Sequence, residues 1–288
     1  VTVWALCRGI GGALAASAFS FLAADFYLFA AARKLAGRPA FRVRLPYLRD
    51  LFRYGFPSHL GNLFSFLHHR ADLLLVNWFL GPAAVGFYAI SALLAEKFWM
   101  MTNAASLVLF PRVAAEEDSK RRNEFTPRVS RAILLVTVPV ALVIGLTAPP
   151  LVDLLFSPRY FPAVRPLRIL LPGAAALGVS RVLANDIAGR GRPLLNTVVT
   201  AGALALNLAL NWIWIPRFGI EGAAGASTVS YSATLLARLC VYCRLSGNSW
   251  KNVLLPRRDD WLLAWKMLQN RGFRRIKFRG RPGRCRRS

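Results

Sequence analysis

Residues 56–110 hold His68, His69, Arg70, Asp72, Glu96 and Lys97 far from either end of an apolar stretch long enough to cross a bilayer twice. A charge near the middle of a bilayer costs roughly 2.5–3.5 kcal/mol on insertion scales, so such groups face an internal polar path or pair with one another. Helical geometry sorts them. Arg70 and Asp72 stand about 200° apart around a helix axis and cannot pair directly, whereas Asp72 shares a face with His68 and His69. Glu96 and Lys97 are adjacent and also point in different directions. If the two spans are antiparallel, Arg70 and Lys97 lie at matching depths, about 21 Å in at 1.5 Å per residue. Cations at that depth suit an anionic group, and the acids can balance them. The same residues can equally be buried ion pairs that fix helix packing. His68 beside Asp72 offers a protonation switch, or simply a wall of a wet cavity.

Something must hold these groups in place, and the rest of the sequence says what. The chain has 288 residues, 55% of them hydrophobic, with a formal net charge of +25. Its apolar runs are closely spaced and separated by short basic loops, the pattern of a polytopic membrane protein. We expect an all-α membrane helix bundle of about seven transmembrane helices, near 10–32, 56–80, 83–110, 132–156, 166–186, 194–215 and 221–245. Helices are the only open-chain elements that satisfy their own backbone in lipid. Basic residues concentrate in alternate connections, such as Arg33, Lys34, Arg38, Arg42, Arg44, Arg49 and Arg53 after the first span. That alternation predicts an external N-terminus and a cytoplasmic C-terminus. Residues 41–54 read as a surface amphipathic helix or an ordinary basic loop.

The positive charge lies between apolar spans, so no nucleic-acid partner is expected. Membrane lipids are expected partners instead. The basic tail from residue 251, with Trp261, Leu262 and Trp265, reads as a solvated segment or one holding anionic head groups. Cys240 and Cys243 form a C-x-x-C in an apolar helix and are expected to pack rather than to bind metal. Arg168 is expected to snorkel toward the outer interface and Arg181 toward the inner one. Asn207 and Asn211 are expected to make interhelical hydrogen bonds. There is no phosphate-binding loop, no nucleophile elbow and no zinc-protease motif, so neither an enzyme nor a cofactor is expected.

Several strings then resemble a known family. Tyr54, Gly55 and Pro57 open the second span, and Arg70 and Asp72 follow. Leu80, Gly81, Val85, Gly86 and Tyr88 make the turn, and Phe110, Pro111 and Arg112 close the third span. With FGIEGAAGASTVSY at 218–231, this ordered set is similar to the second half of bacterial polysaccharide flippases. These are the O-antigen and exopolysaccharide exporters of the superfamily that also holds the MATE multidrug exporters. The resemblance implies a transporter that flips a polyprenyl-diphosphate-linked oligosaccharide across the inner membrane. It implies that residues 1–36 are the last helix of an otherwise missing first lobe, and that 37–55 are a basic cytoplasmic connection. Residues 56–250 would then be a six-helix C-terminal lobe and 251–288 a cytoplasmic tail. A first lobe or a second copy would supply the missing wall of the cavity. On this view Arg70 and Lys97 bind the diphosphate, and His68, Asp72 and Glu96 balance charge or couple transport. The alternatives are a MATE-like cation-coupled drug exporter and an inactive remnant of a flippase.

Overall fold

The structure, a computed structural model, describes residues 9–36, 45–97 and 119–255. Every element in them is helical: α1 (Gly9–Ala36), α2 (Leu45–Leu80), α3 (82–97), α4 (Ser119–Phe156), a 3-10 turn (Pro158–Ala163) and α5 (Val164–Gly189). The run Pro193–Ser246 is broken at Gly219, where φ 60° and ψ −141° are not helical. It therefore comprises two helices, α6 (193–218) and α7 (220–246), followed by the short α8 (Trp250–Leu254). The chain divides into two compact units, residues 1–53 and 54–288, with the boundary inside α2.

Three stretches are long and apolar enough to cross a membrane by length and composition alone: Asn123–Phe156, Pro158–Gly189 and Pro193–Ser246, the last being the α6–α7 pair. The apolar part of α1, Ala15–Ala31, is shorter. In α2 the ionisable cluster at 68–72 interrupts the apolar run. In the second unit, Leu142, Leu146, Leu154 and Trp78 are exposed on the outside of the bundle, a surface suited to lipid rather than to water. The inside is packed by Val76, Tyr88, Val152, Leu167, Leu171 and Ile215, drawn from α2 to α6. Within it α5 is the central helix, with 67% of its apolar window buried.

The backbone of α2 is helical from Leu45 through Pro57 to Leu80. Helix α4 starts at Ser119, a dozen residues before the apolar span begins, and Asn123 and Thr126 in that stretch find partners on later segments. Two of the carbonyls that the four α4 prolines free have partners as well. Pro149 has no N–H, so the carbonyl of Gly145 loses its usual helical donor, and Arg168 Nε on α5 donates to it at 2.8 Å. Pro127 likewise frees the carbonyl of Asn123, which accepts from Asn248 Nδ2 at 2.8 Å. Arg168 thus closes a gap in a neighbouring helix. The closing motif at 110–112 and the tail residues Trp261, Leu262 and Trp265 lie outside the described residues.

Candidate functional site

The hairpin α2–α3 is set by its turn. Gly81 takes φ +80°, its N–H bonds to Asn77 O at 3.0 Å, and Pro82 starts the next helix with a pre-set φ. This left-handed residue at the end of α2 folds α3 back alongside it. Residue 72 then meets residue 88, and residue 70 meets residue 96.

One stripe of α2 faces inward. His68, Asp72 and Val76 are each no more than 3% exposed, at the i, i+4, i+8 spacing of one helical face. Asp72 Oδ2 accepts from Tyr88 OH at 2.5 Å and from Ser227 Oγ of α7 at 3.2 Å. Its Oδ1 accepts from the Leu73 N–H at 2.8 Å. The partners of this carboxyl are hydroxyls and a peptide, not the cation a charge-balancing role would give it. His68 Nε2 lies 2.8 Å from Ser230 Oγ, which donates its proton to Ala203 O at 2.8 Å. His69 Nδ1 is 3.2 Å from Tyr231 OH. The His68, His69 and Tyr231 rings cluster with centroids 5.2–5.7 Å apart.

Arg70 is turned away from this stripe. Its Nη2 is 3.2 Å from Glu96 Oε2, with side chains 46% and 25% exposed. Lys97, next to Glu96, is also exposed. A cleft with about 350 Å³ of empty space, its open mouth included, is lined by His69, Asp72, Tyr88, Glu96 and Tyr231. Of the six residues singled out from the sequence, His69, Asp72 and Glu96 therefore line the cleft. Arg70 reaches its edge through Glu96, and His68 sits behind His69. Tyr88, Tyr231 and Ser227 went unrecognised as site residues. Each stands in a string that carries the family resemblance, Tyr88 in the turn and Ser227 and Tyr231 within 218–231, but a string does not show which side chains converge, and Ser227 is 155 residues from Asp72 in sequence.

The polar seam continues along α7 through Ser230, Thr234 and Arg238, all buried. Across it on α6, Asn211 Nδ2 bonds Asn207 Oδ1 at 3.0 Å, and Asn207 Nδ2 reaches Ser227 Oγ at 3.4 Å. At the end of the bundle where α5 and α7 finish, a second cluster ties four helices. Asp186, fully buried, forms an ion pair with Arg190 and accepts from Thr126 Oγ1 at 2.5 Å. Arg190 also bonds Asn123 Oδ1 at 2.8 Å and lies over the Tyr242 ring. Arg131 bonds Asn252 O, which fixes the segment carrying α8. Among the described residues no group of three or more His, Cys, Asp or Glu is placed to hold a metal.

Long apolar helices around a polar seam, with ionisable groups opening onto a cleft, define a polytopic membrane helix bundle. The chain belongs to the polysaccharide biosynthesis protein family, whose pattern matches residues 1–165, more than half of it. It is 27% identical over 188 residues to an uncharacterized membrane protein of Methanocaldococcus jannaschii, covering 64% of this chain and 37% of that protein. It is 24% identical over 187 residues to the "Probable low-salt glycan biosynthesis flippase" of Haloferax volcanii, covering 64% of this chain and 40% of that one. The chain thus spans well under half the length of these relatives. Its fold is similar to that of a Vibrio cholerae MATE transporter, with TM-score 0.65, 20% identity, and coverage of 86% of this chain and 59% of the other. The chain is a membrane protein.

Proposed function

We propose that the chain forms the greater part of one lobe of a transporter that flips polyprenyl-diphosphate-linked oligosaccharides across the inner membrane for polysaccharide biosynthesis. Residues 1–36 then belong to a first lobe, residues 56–250 form the second, and the C-terminus is cytoplasmic. The observation that carries the reading is the Arg70–Glu96 pair at the cleft edge, in a chain of this family. A half-exposed guanidinium held by one carboxylate can be exchanged. An arriving diphosphate offers Arg70 a bidentate, doubly charged acceptor, and Glu96 is released as Arg70 turns to it. Lys97, one residue on, adds a second cation. Asp72, bonded only to neutral donors, can take up or release a cation without breaking an ion pair, and His68 lies one turn away on the same face. These two residues and Glu96 are the coupling groups in this reading. Alternating access between lobes completes the cycle.

The test is complementation of a deletion strain. With Arg70→Gln, surface polysaccharide falls several-fold at equal membrane abundance and the lipid-linked repeat accumulates inside. Export at the wild-type level refutes the residue assignment, and a deletion strain that never makes the repeat refutes the flippase reading.

One observation favours a second reading, a MATE-like exporter of cationic drugs. The cleft is lined by two acids and three aromatic or imidazole rings. Such a lining suits a cation over π faces. Raised sensitivity of the deletion strain to cationic compounds, with normal polysaccharide, selects it.

A further inference from the structure

Helix α2 shows three different sides between His59 and Trp78. His68, Asp72 and Val76 fall on the buried side described above. Leu63 and Leu74, 45% and 68% exposed, fall with Trp78 on a second side that is wholly apolar and suited to lipid. The third side is exposed and largely polar. Its exposed members are His59, Asn62, Phe66, Arg70 and Asn77, within an arc of about 80° at about 100° per residue.

From His59 to Asn77 this strip runs about 27 Å by the helical rise, close to the thickness of a bilayer's hydrocarbon core. Amides, an imidazole and a guanidinium along that length are costly against lipid tails, and the adjoining apolar side already faces lipid. The strip instead borders the cleft. His69, which lines the cleft, is about 20° around the axis from Asn62, and Arg70 reaches the cleft edge through Glu96.

The side chains of the strip suit a saccharide. An amide both donates and accepts, which matches a hydroxyl that does both. Phe66 is 62% exposed and stands one turn from Asn62 and one turn from Arg70. Its ring face carries negative charge density, which suits the C–H face of a pyranose. Phe66 and Arg70 are about 6 Å apart along the axis, comparable to the length of one sugar ring.

We propose that Phe66 and Asn62 hold the first sugar of the lipid-linked oligosaccharide while Arg70 holds the diphosphate. This rests on the flippase reading above and adds to it a site for the glycan itself.

The test titrates the chain in lipid nanodiscs with two ligands: polyprenyl diphosphate alone, and the same lipid carrying one sugar. The sugar is expected to tighten binding several-fold. Phe66→Leu and Asn62→Leu should each remove most of that gain and leave the affinity for bare polyprenyl diphosphate unchanged. Leu74→Ala, on the lipid-facing side, should keep the gain. Equal binding of the two lipids by the unaltered chain overturns the proposal, as does a full gain in both strip variants. Equal weakening of both lipids in those variants also overturns it and marks the strip as a packing surface for a first lobe. Binding of neither lipid refutes the flippase reading, and this proposal with it.

Discussion

Replacing Asp186 by Asn removes a charge from the most enclosed ion pair in the described structure while nearly preserving shape. The Asp186 side chain is fully buried and that of Arg190 is 9% exposed. The Asn side chain can still accept from Thr126, so the loss falls on Arg190. That cation keeps Asn123 Oδ1 and the Tyr242 ring but has no anion left. Breaking one side of a buried pair costs about 3–5 kcal/mol. For a unit of this size each kcal/mol moves Tm by about 2–4 °C, so the apparent Tm should fall by about 6–20 °C. The assay is thermal unfolding in detergent, followed by the intrinsic fluorescence of the chain's tryptophans. Adding Arg190→Gln removes the stranded charge, and the double variant should recover at least about 1 kcal/mol relative to the sum of the single changes. A single-variant shift below about 2 °C would refute the reasoning, because it would mean Arg190 finds solvent or another anion. Strict additivity in the double variant would refute it as well.

Other expectations concern the cleft and the kink. Tyr88→Phe deletes the 2.5 Å hydrogen bond to Asp72 and leaves a buried carboxyl with one fewer donor, a loss of about 1–3 kcal/mol read as a lower Tm. Asp72→Asn on the Tyr88→Phe background should then cost less than it does alone. Gly219→Ala meets no atom within 4 Å, so its cost of about 1–3 kcal/mol comes from backbone conformation alone. The same change at Gly202, a helical position with equally open space, should leave Tm unchanged or raise it, which makes the pair a controlled comparison.

Much of the architecture was legible because a bilayer imposes a length on apolar runs. The runs near 166–186, 194–215 and 221–245 coincide with α5, α6 and α7, and the Gly81-Pro82 turn announces the hairpin by its own backbone chemistry. Less could be read where polar residues are used inside. The first turns of α4 read as loop, because Asn123 and Thr126 are satisfied by residues 123 and 60 positions later. Periodicity places Asp72 on the face of His68 and away from Arg70, but it does not reveal that Tyr88 and Ser227 converge on that carboxyl. Arg238 was silent for the same reason: a single arginine in an apolar span reads like any basic residue near a helix end. Only the packing of three helices shows that its partners among the described residues are the hydroxyls of Ser180 and Thr200.

The proline-freed carbonyls of α4 have a consequence for the order in which the lobe is made. When α4 leaves the ribosome, the acceptors at Asn123 and Gly145 have no donor within their own helix. Arg168 is synthesised 23 residues after the Gly145 it serves, and Asn248 follows Asn123 by 125 residues. Helix α4 therefore enters the membrane with open backbone positions, and they close one after the other as α5 and then the segment before α8 arrive. The end of the chain acts on its middle, so a nascent chain halted before Asn248 should leave α4 accessible to protease near residue 123.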